Sequence, residues 1–85
     1  MKLYEDGRLL GLISEWKLSE ELPAKRIVLG KEIEMPNPKM RCEFVSPKPV
    51  QRKKKHWLIK DDGKKLILSD VKVTGGTFVS AAIEN

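Results

Sequence analysis

The chain has 85 residues, of which 17 are Lys or Arg and 12 are Asp or Glu, for a formal charge of +5. A chain of this size supports one modest core and a single domain, 1–85. Its lone cysteine excludes an intramolecular disulfide, and no apolar run is long enough to cross a bilayer.

Turn signals recur about every eight to twelve residues, the rhythm of an all-β domain. Asp6-Gly7 separates a strand at 2–5 from a longer one at 8–18. Glycine accepts positive φ, which a tight hairpin needs. In the second strand Leu10, Leu12, Trp16 and Leu18 share one side, and Leu9, Ile13 and Lys17 the other. An 85-residue domain has one core, so apolar groups on both sides leave two readings: a helical turn or the Pro36–Pro38 segment covers the second face, or Leu9 and Ile13 form a self-association surface. Ser19 can cap a single helical turn, which Pro23 stops.

Residues 26–29 and 32–35 flank Gly30-Lys31, a hairpin with Gly at the first turn position, and Pro36-Asn37-Pro38 is a rigid break. Residues 39–45 alternate, which places Met40, Cys42 and Phe44 inward and Lys39, Arg41 and Glu43 outward. Cys42 is therefore a small buried hydrophobe rather than a reactive thiol.

Residues 46–55 hold two prolines and a run of like charge, which predicts a flexible loop. Strands at 56–60 and 65–69 then bracket Asp61-Asp62-Gly63-Lys64, with Trp57 and Ile59 inward and His56, Leu58 and Lys60 outward. A last hairpin joins 71–74 to 77–83 through Gly75-Gly76. Ser80, Ala81 and Ala82 make the final strand narrow enough for a neighbouring strand or subunit to approach. The fold predicted is a small antiparallel barrel or sandwich of about seven to nine short strands, with at most one helical turn.

The net charge resides in residues 48–60. Lys48, Arg52, Lys53, Lys54, Lys55 and Lys60 stand there with no acid between Glu43 and Asp61, and the remaining chain carries 11 bases against 12 acids. Such a segment suits a polyanion or an acidic protein partner. Against nucleic acid, the lysines would hold phosphates while His56 or Trp57 stacks on a base.

Catalysis is poorly supported, and the expectation is that the chain is not an enzyme. His56 is the sole histidine, and no spacing ties it to Ser46 or Ser69 as a nucleophile. One His and one Cys do not make a metal set, and Asp61-Asp62-Gly63 lacks the alternating ligands of a calcium loop. No cofactor and no small-molecule substrate are indicated.

The residues 2–14, KLYEDGRLLGLIS, and 62–75, DGKKLILSDVKVTG, resemble hairpins of small phage virion proteins such as tail-tube and head–tail connector subunits. The resemblance implies a phage or prophage origin, ring or tube assembly and no catalysis. The function expected is thus a non-catalytic protein–protein or assembly module. A small basic β-barrel that binds nucleic acid through residues 48–60 is the alternative. The segment Met1 to Asp6 has no apolar stretch of the secretory kind, so a cytoplasmic or virion-associated protein is expected, with no membrane partner.

Overall fold

A computed structural model describes residues 1–21, 26–33 and 39–84, with residues 21, 26–28, 32–33 and 39 described by their backbone alone. All regular structure among them is strand: β1 Lys2–Glu5, β2 Arg8–Leu12, β3 Ser14–Glu21, β4 Arg26–Val28, β5 Lys31–Ile33, β6 Lys39–Val45, β7 His56–Ile59, β8 Lys65–Thr74 and β9 Phe78–Ile83. Seven of these form one antiparallel sheet in the order β2-β1-β7-β8-β9-β6-β3, and β4 pairs with β5 alone.

The sheet curls into a half-barrel because its two outermost strands are consecutive in the chain. β2 ends at Leu12 and β3 begins at Ser14, so Ile13 alone carries the backbone from one margin to the other. The Ile13 N–H donates to the Met1 carbonyl at 3.1 Å, which fixes the corner. Curling leaves one inner face, where Leu3, Leu10, Cys42, Phe44, Val50, Leu58, Leu68, Val79 and Ala81 cluster.

The single strand expected over 8–18 is therefore two. Its simple alternation also fails, because Leu3 faces Gly11 while Tyr4 faces Leu9, and Leu10 is the extra residue of a bulge. Gly11 takes φ +138° there. Leu10 is buried, whereas Leu12 and Leu18, predicted to share its side, are exposed. A second irregularity between Ser14 and Lys17, with Glu15 at φ +54°, turns Trp16 onto Phe44, ring centroids 6.3 Å apart.

Ser19 caps no helical turn, since β3 runs through it to Glu21 and its backbone is committed to pairing with Arg41 of β6. Pro23 and the Pro36-Asn37-Pro38 break lie outside the described residues. The hairpin near Gly30 forms, but its turn is Leu29-Gly30 rather than Gly30-Lys31, as Val28 pairs with Lys31. In β6 the inward Cys42 and Phe44 are fully buried, as predicted.

The face expected of β7 is reversed. His56 and Leu58 are buried, while Trp57 and Ile59 are half-buried on the outer face. The partner strand decides this: Leu58 lies opposite Leu3 and His56 opposite Glu5, and those β1 side chains already face inward. The two strands expected at 65–69 and 71–74 are one. A bulge between Ser69 and Lys72, with Asp70 at φ +47°, lets β8 continue while changing which residues face in. β9 lies between β8 and β6, so its small residues serve packing inside the sheet and it offers no free edge.

Candidate interaction surface

The basic segment 46–55 contains no strand or helix, and the body holds it at several points. After β6, the Ser46 N–H donates to the Thr77 carbonyl and the Val50 N–H to the Gly76 carbonyl, both at 2.8 Å. Ser46 Oγ donates to the Lys48 carbonyl at 2.6 Å, which tightens the turn at Pro47. Val50 joins the core. Burying such a side chain contributes about 1.5–3 kcal/mol. Pro47 lies against Gly11 so closely that a Cβ there would sit 2.8 Å from the Pro47 ring. The segment is thus a strap held against the β8–β9 turn, with Pro47 against Gly11 of β2.

Its second half is tied to acids of the β1–β2 hairpin. The Gln51 N–H donates to Glu5 Oε2 at 2.9 Å, and the Lys55 N–H donates to Asp6 Oδ1 at 2.9 Å. The Asp6 N–H donates back to the Lys55 carbonyl. The acidic neighbours that organise this basic run therefore include two residues of the same chain. Glu5 was not among the residues expected at this surface. Its signal was parity, since Glu5 stands two residues from the buried Leu3 and so faces inward with it.

These ties sort the cations. Lys54 Nζ lies 3.9 Å from Glu5 Oε1 and is partly occupied there. Lys48, Arg52, Lys53 and Lys55 are exposed, and Lys60, past the end of β7, is half-buried. Five of the six predicted contact residues are thus exposed, with Lys54 shared with Glu5.

Neither predicted stacking residue stands free. His56 is 2 % exposed, with its ring directed at Glu5. Trp57 reaches the outer face, but Tyr4 lies parallel to it at 6.1 Å between centroids and Lys65 Nζ lies 4.5 Å from its ring. His56 also makes no hydrogen bond to Ser46 or Ser69; its partner is a carboxylate, and the Ser46 hydroxyl is engaged with Lys48. Among the described residues, no three of His, Cys, Asp and Glu gather as a metal set.

Of the two predicted self-association residues, Leu9 is exposed on the outer face, while Ile13 is half-buried against the core at the corner and is not a free contact residue. The larger apolar exposure lies elsewhere. The β4–β5 hairpin makes no contact with the strands of the main sheet among the described residues. At its tip stands Leu29, 98 % exposed.

The two margins of the sheet differ in charge. Arg8 begins β2, and the exposed cations of the strap are tied to Glu5 and Asp6 of the same hairpin. The opposite margin, β3, carries Glu15, Glu20 and Glu21 against the single base Lys17, and Lys17 lies opposite Glu43 of β6. Comparison with protein-family models, with curated proteins and with solved structures finds no match for this chain.

Proposed function

We propose that this chain is a non-catalytic assembly module, which joins copies of itself or a partner protein in the manner of the small phage virion proteins its hairpins resemble. The observation that carries the reading is Leu29. It occupies a turn position at φ +53°, followed by Gly30 at φ +77°. Left-handed backbone costs a residue with a Cβ about 1–2 kcal/mol, and Asn or Gly normally stands at such a place. Leu29 gains no burial in return within the chain. An apolar side chain held in a strained position at the tip of a projecting hairpin is suited to insertion into a neighbour.

The test is sedimentation velocity over a wide concentration range on the native chain and on Leu29→Asn. Asn tolerates positive φ, so the hairpin survives while the apolar tip is lost. The expected result is concentration-dependent association that weakens about tenfold, the effect of losing a modest contact residue. A native chain whose association is indifferent to Leu29 removes this support.

The exposed group Lys48, Arg52, Lys53 and Lys55 favours a second reading, nucleic-acid binding through phosphate contacts. It would act without the stacking contribution expected of His56. Anisotropy with labelled oligonucleotides, titrated across salt, tests it. Four phosphate contacts predict a log–log salt slope of about −3 to −4, reduced when residues 52–55 are changed to Gln. No binding at low salt retires this reading.

A further inference from the structure

We infer that the acidic surface met by the basic strap is the β3 margin of a second copy of this chain, with Arg52, Lys53 and Lys55 set against Glu15 and Glu20. The inference rests on the assembly reading and names the contact that would carry it.

Three observations converge on this partner. First, the curled sheet ends in two edge strands, β2 and β3, and β3 pairs only with β6 among the described residues. An edge strand with unpaired backbone groups is a natural docking line. Second, charge divides between those ends. The strap from 46 to 55 has five bases and no acid, while β3 has three acids and one base. Third, the strap is tied to Glu5 and Asp6 through backbone N–H groups, and only Lys54 of its exposed cations reaches one of those acids, so the others project from a fixed support. Glu15 and Glu20 are likewise exposed and make no ion pair among the described residues.

The complementarity also selects the geometry. Strap against strap, or β3 against β3, opposes like charges and is disfavoured. Strap against β3 is favourable and joins two different surfaces, so each copy keeps one of each unused. Such head-to-tail contacts propagate until they close into a ring or extend as a filament.

The experiment is a charge reversal made on each side separately, read by sedimentation velocity of the full chain at low and at high salt. One variant is Arg52→Glu with Lys53→Glu; the other is Glu20→Lys. All three side chains are exposed, and circular dichroism verifies that each variant is folded. The native chain is expected to associate at low salt and to dissociate as salt rises. Each variant alone should associate at least about tenfold more weakly, and an equimolar mixture of the two should recover most of the loss, because reversed charges meet reversed charges. Association that survives both reversals and high salt, yet falls with Leu29→Asn, overturns this contact and leaves the assembly reading intact. Reversals that each weaken association without recovery on mixing also overturn it. A native chain that is monomeric at every salt overturns the contact and self-assembly together.

Discussion

His56 Nε2 lies 3.0 Å from Glu5 Oε2, with both side chains buried on the inner face of paired strands. The same carboxylate oxygen accepts the Gln51 N–H, so one buried acid joins β1, β7 and the strap. With Nε2 donating to Glu5, the buried His56 Nδ1 has no hydrogen-bond partner among the described residues. Burial pushes the Glu5 carboxyl up. The Gln51 N–H, the His56 ring and the Lys54 ammonium together outweigh that effect and hold it below its usual value.

Acid should therefore loosen this junction. A carboxyl with a lowered folded-state pKa contributes stability that is present above its ordinary value, 4.5, and is lost as pH falls through the folded value. Thermal melts from pH 7 to 3 should show a decline in Tm beginning near pH 4.5. Glu5→Gln should lower stability at pH 7 by about 3 kcal/mol, as expected when a buried pair loses one partner. It should also flatten the acid limb.

The bulge at Gly11 should tolerate no side chain. A Cβ there meets the Pro47 ring at 2.8 Å, and the backbone has φ +138°. Gly11→Ala should cost about 2–3 kcal/mol by urea unfolding, the sum of overpacking and strain. Adding Pro47→Ala removes the nearest atom and should restore part of that loss, whereas strain alone would leave the double variant no better.

Cys42 should be silent in the folded chain. It is fully buried, and that burial pushes its thiol up to about 11. Reaction with an aromatic disulfide reagent at pH 8 should be at least about a thousandfold slower than in urea, since it requires opening of the sheet. Rapid labelling without denaturant would place β6 outside the stable core.

At the hairpin tip, stability and association should part company. Leu29→Asn relieves a residue held at φ +53° and should stabilise the chain slightly, by about 0.5–1 kcal/mol in chemical unfolding. A destabilised variant would mean that Leu29 packs within its own chain.

The class of the fold was legible in the sequence because turns carry local chemistry. Asp6-Gly7, Asp62-Gly63 and Gly75-Gly76 all mark hairpins through backbone preferences that no distant contact overrides. The faces of strands were legible only where alternation ran unbroken, as in β6. Bulges at Leu10, Glu15 and Asp70 shift parity by one residue, and their cause is the partner strand. β7 shows the same limit, since its alternation fits either face and the expectation puts Trp57 inward, while its ladder partners turn Trp57 outward. The cations of the strap were visible from composition. Their anchoring was not, because Glu5 and Gln51 are 46 residues apart.

The place of β1 in the sheet has a consequence for how the chain is made. Its four residues lie between β2, which follows at once, and β7, which begins at residue 56. During translation the β1–β2 hairpin emerges with one side unfilled and stays so until residues 56–59 follow. Pairing across so long an interval is slow. The β1–β2 hairpin is thus sheltered only after β7 has followed it, and in that interval Leu3 and Tyr4 are the residues a nascent-chain chaperone would meet.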